Sequence, residues 1–268
     1  MQQTVYPKVM GILNVTPDSF FAGSRKQTEK EIAERTVQLL AEGADIIDVG
    51  GYSSRPNAVF VTEKEERRRL RFGLEILFRE APQAVVSIDT FRADVARECV
   101  EKFGSLIIND ISGGGLDEKM LDTIIQLQVP YILMHLRGTP QTMMQYTDYE
   151  NPVQDVLLYF TEKIQRLHQK GVKDIWIDPG FGFSKTTEQN YAILKRLEQF
   201  TVFALPLLVG FSRKTMIRDV VDVSPEDALN GTTALNMFAL TKGANILRVH
   251  DVKEAVQAVK IYNKIRQS

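Results

Sequence analysis

The chain has a single cysteine, Cys99, in 268 residues. That excludes an intramolecular disulfide and any multi-cysteine metal cluster, and the thiol reads as a packed residue on an amphipathic helix. No apolar run approaches the length a membrane span needs, and residues 1–15 lack the basic segment, apolar stretch and cleavage site of an export signal. Net charge is scarce too. With 33 basic residues against 34 acidic ones and a formal charge of -1, there is no global field to grip a nucleic-acid backbone or an anionic bilayer, so any anion must be bound locally. No Ser/Gly-rich or Pro-rich linker divides the chain. These absences favour one soluble, cytoplasmic domain over 1–268, with no nucleic-acid and no membrane partner.

What is present is 44% hydrophobic and 25% charged, enough to fill a sizeable core. Short runs rich in Val, Ile and Leu recur at 8–14, 45–50, 84–89, 105–111, 130–135, 174–178, 206–210 and 245–249. Helical spacing of apolar residues follows each, near 28–42, 62–79, 92–103, 117–127, 152–170, 187–199, 225–241 and 251–266. Nearly continuous apolar runs suit parallel strands covered by helices. Eight such units predict a closed (β/α)8 TIM barrel, with an open doubly wound sheet as the alternative. Gly43, Gly104, Gly171 and Gly243 stand where helices should stop, and Ser224-Pro225 followed by Glu226 and Asp227 reads as a helix start. The mixed-sign run Glu63, Glu65, Glu66, Arg67, Arg68, Arg69 and Arg71 reads as a solvated helix face.

Polar residues fall at the carboxyl ends of all eight strands: Asn14, Asp48, Asp89, Asn109 with Asp110, His135, Asp178, Ser212 to Lys214, and Arg248 with His250. One Asn or Asp after a strand is usually a turn former or a cap. A full ring of them, at the face where barrel enzymes carry their chemistry, points to a site. Asp89, Asn109 and Asp178 suit a flat heterocycle, because a carboxylate accepts two parallel hydrogen bonds from adjacent ring N–H and amino groups. Arg55, Lys214, Arg248 and His250 suit phosphate oxygens. Taken alone, the set also fits a phosphate-binding isomerase or aldolase with Lys214 as a Schiff-base lysine. Gly180-Phe181-Gly182-Phe183 is neither a dinucleotide fingerprint nor a Walker loop. His135 reads as shaping the pocket rim, Trp176 as core and His168 as surface.

Longer segments say more. MGILNVTPDSF at 10–20, GADIIDVGGYSSRP at 43–56, INDISGG at 108–114, LMHLRGTPQTM at 133–143, IDPGFGFSK at 177–185, VGFSRKTMI at 209–217 and RVHDV at 248–252 together resemble the dihydropteroate synthase family. The resemblance implies a (β/α)8 barrel that joins 6-hydroxymethyl-7,8-dihydropterin pyrophosphate to 4-aminobenzoate, releasing pyrophosphate and 7,8-dihydropteroate. It also implies Mg2+, a homodimer, and sulfonamides as inhibitors. Carried over by position, Asp89, Asn109, Met134, Asp178, Phe183, Gly210 and Lys214 would hold the pterin. Asn14, Arg55, Arg248 and His250 would hold the pyrophosphate, with Asn14 the metal ligand. Phe20, Ser53, Ser54, Phe183, Ser212 and Lys214 would hold the aminobenzoate. Catalysis would rest on Asp89, Lys214, Arg55 and Arg248.

The chain departs from the common family pattern at Tyr52, Ser54, Asn57 and Ser184, where Glu, Thr, Gly and Gly are frequent, and in a first loop reading FFAGSR. These departures bear on loop closure and inhibitor sensitivity more than on the reaction. Methyltetrahydrofolate to corrinoid methyltransferases share the pterin barrel but have no need for the NVTPDSF, SSRP and RVHD segments. A noncatalytic pterin-binding relative would be marked by loss of Asn14, Arg55 or Arg248, and all three are present. The SRK context argues against Lys214 as a Schiff-base lysine.

Overall fold

The computed structural model describes residues 7–15, 25–52 and 60–268. Eight strands run β1 (Lys8–Asn14), β2 (Ile46–Gly50), β3 (Val86–Asp89), β4 (Ile107–Asp110), β5 (Tyr131–Met134), β6 (Ile175–Asp178), β7 (Leu208–Val209) and β8 (Ile246–Val249). All their pairings are parallel, in the order β6-β5-β4-β3-β2-β1-β8-β7. A parallel bridge between Ile177 and Leu207 joins the two ends, and Ile177 N–H donates to the Pro206 carbonyl at 2.9 Å. The sheet is therefore a closed (β/α)8 barrel, and the open alternative is excluded.

Extended backbone turns successive side chains to opposite faces, and that period divides the core in two. Val9, Leu13, Ile47, Val49, Val86, Ile88, Ile108, Leu133, Ile175, Ile177, Val209, Leu247 and Val249 face outward into the layer shared with the helices. Their neighbours Met10, Ile46, Ile107, Ile132, Leu208 and Ile246 form a separate cluster inside the barrel. Trp176 packs half-buried against that cluster, its Nε1 donating to Asp174 Oδ1 at 2.7 Å, so it sits at the edge of the core. Continuing the same alternation upward turns polar residues inward.

Helices α1 (Arg25–Ala41), α2 (Glu63–Glu80), α3 (Ala93–Phe103), α4 (Met120–Leu127), α5 (Pro152–Gln169), α6 (Thr187–Lys195), α7 (Thr215–Val221), α8 (Leu229–Thr241) and α9 (Val252–Gln267) cover the barrel. Their starts obey local chemistry. Thr62 caps α2 ahead of Glu63, Glu65 and Glu66, which complement the helix dipole. Asn151 caps α5 with proline next, and Thr186 and Gln189 form a capping box on α6. The expected stops Gly43, Gly104, Gly171 and Gly243 all take positive φ.

Two helical expectations need correction, and one helix is additional. The segment expected at 187–199 ends at Lys195 and gives way to a 3-10 stretch at Leu197–Phe203. The helix expected from 225 starts at Leu229, because Ser224 Oγ accepts from Asp227 N–H and closes a separate turn first. Helix α7 was not expected; its seven residues bury only Met216 and Ile217, too few to show a period.

Candidate active site

The barrel's alternation decides which strand-end polar groups reach the mouth. In step with the inner cluster, Asn14, Asp48, Asp89, Asn109, Met134, Asp178, Gly210, Ser212, Arg248 and His250 lie on the inward face. Asp110 and His135 are one residue out of step, and the structure uses both elsewhere. Asp110 is fully buried and accepts from Ser112 N–H at 2.8 Å, Gly114 N–H at 2.7 Å and Tyr131 O–H at 2.8 Å, so it builds the turn after β4. His135 is 2% exposed, edge-on to Tyr159, with Nδ1 3.0 Å from Lys185 Nζ. It lies behind the pocket rather than on the rim, and burial drives its pKa down, keeping the ring neutral.

Arg248 holds the centre of the mouth. Its Nε donates to Asp48 Oδ2 at 2.7 Å and its Nη2 to Asp89 Oδ2 at 2.8 Å, leaving the Nη1 pair for an anion. Asp48 also accepts from Asn109 Nδ2 at 3.2 Å, which leaves the Asn109 carbonyl oxygen as an acceptor. Burial pushes the Asp89 carboxyl up to about 7, against the pull of Arg248 and with help from Asp48. Arg248 itself is held above its usual range, its two carboxylates outweighing burial. Asp48, one of the strand-end carboxylates, orients both Arg248 and Asn109. Its signal was an acidic residue with the inward parity inside the apolar run Ile46 to Val49.

Across the mouth, Asp178 Oδ1 accepts from Gly180 N–H at 2.8 Å. Gly180 takes φ 71°, and a Cβ there would stand 2.2 Å from the His135 carbonyl, so only glycine lets the chain turn back over β5. Lys214 Nζ donates to the Phe181 carbonyl and lies 4.7 Å from the centre of the Phe183 ring. Burial lowers Lys214 to about 8, with Asp178 opposing the shift, and burial raises Asp178, with Lys214 opposing that. Phe183 packs with Met134, Ile111 and Met143. Gly210 leaves space beside Arg248 and Lys214. Ser184 takes φ 46°, a conformation that glycine adopts more readily; here its Oγ accepts from Arg137 N–H at 3.1 Å.

Lys185 escaped the sequence reading. It is 2% exposed, and its Nζ meets the Gly180 and Phe183 carbonyls at 3.1 and 2.9 Å besides His135. It ties down the turn that carries Asp178 and Phe183. On the far side, Ser212 Oγ lies 2.9 Å from His250 Nδ1 and accepts from His250 N–H at 3.2 Å.

The charged run on α2 is only partly a solvated face. Glu66 has no exposed surface and Arg69 is 8% exposed, because this stretch of helix lies against the barrel mouth. Glu66 accepts from Thr90 Oγ1 at 2.6 Å and pairs with Arg92; burial raises its carboxyl despite both partners. Arg69 donates to the Gly51 carbonyl at 3.2 Å and Arg92 to the Val61 carbonyl at 2.7 Å. Tyr52 is buried and its hydroxyl accepts from Gln141 Nε2 at 2.8 Å. Phe20, Ser53, Ser54, Arg55 and Asn57 lie outside the described residues.

Comparison with known proteins follows this geometry closely. A pterin binding enzyme family model matches residues 10–250. Dihydropteroate synthase of Escherichia coli K12 is 41% identical over 259 residues, covering 96% of this chain and 90% of that protein. The structure of Xanthomonas albilineans dihydropteroate synthase with 4-aminobenzoic acid superposes with a TM-score of 0.89 at 35% identity, over 98% of this chain and 94% of that one. The Yersinia pestis dihydropteroate synthase complex with a sulfonamide drug gives 0.88 at 37% identity, over 98% and 95%. With sequence and fold both matched over nearly full length, the chain belongs to the dihydropteroate synthase family of pterin-binding enzymes.

Proposed function

We propose that the inward ring works as a two-station site for the family's reaction. The chain is a transferase of folate biosynthesis that condenses 6-hydroxymethyl-7,8-dihydropterin pyrophosphate with 4-aminobenzoate, giving 7,8-dihydropteroate and pyrophosphate. The observation that carries the site assignment is the alternation of charge around one mouth: Asp89 and Asp178 on opposite sides, with Arg248 against the first and Lys214 beside the second.

Asp178 offers its free oxygen to the N3-H and 2-amino edge of the pterin, Asn109 accepts beside it, and Lys214 donates to the ring carbonyl while Met134 and Phe183 line the faces. Arg248 Nη1 and His250 receive the pyrophosphate, with Arg55 from the second loop. As the carbon–oxygen bond to pyrophosphate breaks, negative charge grows on the leaving oxygens and positive charge spreads from the exocyclic carbon into the ring. Arg248 answers the first and the Asp89 carboxylate, near ring N8-H, the second. These groups are fixed before reaction, so they stabilise the charges without reorganising. The aniline nitrogen, held near Ser212 and Lys214 with Phe20, Ser53, Ser54 and Phe183, then closes the new C–N bond and loses its proton late, to pyrophosphate or solvent. No strong general base is needed, because a neutral aniline is already nucleophilic.

Mg2+ belongs to this reading. Asn14 Oδ1 stands 3.4 Å from where a Cβ on Gly50 would lie, so glycine keeps that oxygen open to the mouth. Among the described residues no trio of His, Cys, Asp or Glu could hold a metal. A cation here would take one amide oxygen from the chain and the rest from pyrophosphate and water, the donor set that suits Mg2+. When bound it supplies charge neutralisation at the leaving group.

A homodimer and a cytoplasmic location complete the proposal. No described helix is long and apolar enough to cross a membrane. A groove between α8 and α9, lined by Thr233, Met237, Gln257 and Ile261, lies where exposed Phe238, Ile261 and Ile265 offer apolar surface, and it favours the last third of the chain as the seam. Sulfonamides, as mimics of 4-aminobenzoate, should inhibit by occupying the outer station. The test is release of pyrophosphate and formation of dihydropteroate from the pterin pyrophosphate, with and without 4-aminobenzoate and Mg2+. Product that requires both substrates is expected; binding of the pterin pyrophosphate with no product would leave a noncatalytic relative, and no binding at all would remove the pocket assignment.

A further inference from the structure

We propose that the Arg213–Asp251 ion pair is a positioning clamp that holds Arg213 in a left-handed backbone conformation, so that Ser212 and Lys214, on either side of it, face the mouth together. Arg213 takes φ 58° in a turn closed by Lys214 N–H donating to the Phe211 carbonyl at 2.9 Å. It is the third residue of that turn, where a positive φ normally calls for glycine. For a side chain with a Cβ the conformation is unfavourable, so something outside the turn must hold it.

Contacts from outside the turn do so. Arg213 Nε and Nη2 make a bidentate fork with Asp251, at 3.0 and 2.7 Å, the geometry that fixes a guanidinium most firmly. Nη1 donates to the Pro225 and Glu226 carbonyls at 3.3 and 3.4 Å, and the Arg213 backbone N–H donates to Thr232 Oγ1 at 3.1 Å. Asp251 occupies the N-cap position of α9, where an aspartate ordinarily accepts from the first helical N–H groups. Here it makes no side-chain cap bond; both oxygens serve Arg213 instead. The next residue inward repeats the link, since Ser212 Oγ meets His250 Nδ1 at 2.9 Å. Residues 212 and 213 are thus joined rung by rung to 250 and 251, tying the end of β7 to the end of β8. None of these contacts requires Arg213 to touch substrate.

The consequence for turnover rests on the assignment of Ser212 and Lys214 to the two substrates; the backbone claim does not. The test therefore has two readouts on wild type, R213A, R213G and R213K. Hydrogen exchange at the Lys214 N–H reports the turn. Steady-state kinetics reports kcat and the KM for 4-aminobenzoate. Alanine keeps the Cβ and loses the clamp, so R213A should lose protection and drop kcat/KM by about tenfold or more, most of it as a raised KM for 4-aminobenzoate. Glycine accepts the positive φ without a clamp, so R213G should recover most of both losses, and R213K, keeping one arm of the ion pair, should fall between R213A and wild type. Equal impairment of R213A and R213G would overturn the proposal in favour of a guanidinium that acts by its own charge. So would unchanged Lys214 protection in R213A, or a lowered unfolding midpoint with wild-type kinetics. A wild type without turnover whose variants still rank as stated in exchange would support the clamp and count against the synthase reading alone.

Discussion

Arg248→Ala would leave Asp48, with no exposed side-chain surface, and Asp89, 12% exposed, facing one another without their shared cation. Breaking a buried pair from one side costs more than the pair contributes, and with Arg248 partly open to solvent the expected loss is about 2–3 kcal/mol, read as a lower urea midpoint. Asp178→Asn keeps the shape and replaces one acceptor by a donor, so pterin pyrophosphate should bind roughly tenfold to a hundredfold more weakly in calorimetry, from about 1.5–3 kcal/mol for a hydrogen bond to a charged group. The buried titrating groups set the response to pH. Lys185 falls from 10.5 to about 7; between those values the unfolded chain binds a proton the folded chain lacks, so this lysine makes stability climb as pH rises across that window. Asp89 goes from 3.8 up to about 7; there the folded chain holds the extra proton, and its contribution is lost as pH rises through 7. Urea midpoints measured above pH 7 should rise less steeply in K185M than in wild type, with Lys214, lowered to about 8, contributing to the slope that remains. An unchanged slope in K185M would place the titration on other groups.

Among the elements, the turn after β6 is the most constrained. Gly180→Ala would drive a Cβ against the His135 carbonyl in a left-handed conformation, and the turn carrying Asp178 and Phe183 should shift. We expect a loss of about 2 kcal/mol or more in stability together with weakened pterin binding, read by urea unfolding and calorimetry on the same protein. The strands were legible because each apolar run is bounded by polar or turn residues, and the runs at 8–14 and 174–178 differ from β1 and β6 by at most one residue. The inward ring was legible as well, since Asn14, Asp89, Asn109, Asp178, Ser212 and Arg248 all share the parity of the inner cluster. That same parity, applied to His135 and Asp110, would have turned both away from the mouth. Glu66 and Arg69 were misread for a different reason: a charged face on a helix looks the same whether it meets water or the backs of two loops, and only the tertiary placement of α2 decides. Lys185 gave no signal, because a lysine just ahead of a helix cap is ordinarily solvated. The conformation of Arg213 was hidden too, since nothing local asks for an arginine where a glycine would sit.

For the whole molecule, the exposed apolar side chains of α8 and α9 set the expected state of association. Sedimentation equilibrium should give twice the chain mass, and Ile261→Glu, which puts a charge on a side chain 58% exposed in the single chain, should move it to the monomer; a monomeric wild type would retire the seam. The apolar cluster of Met10, Ile46, Ile107, Ile132, Leu208 and Ile246 has a consequence for traffic. It plugs the barrel beneath the polar ring, so the vessel has one mouth and no drain. In the proposed site, a pterin seated at Asp178 and Asn109 would lie below an aminobenzoate held at the rim by Ser212, and could neither arrive nor depart while the upper one is in place. Occupancy would then be a queue, with the deeper molecule first in and last out, and a mimic that settles at the rim would do more than deny a seat: it would lock the door on whatever is already inside.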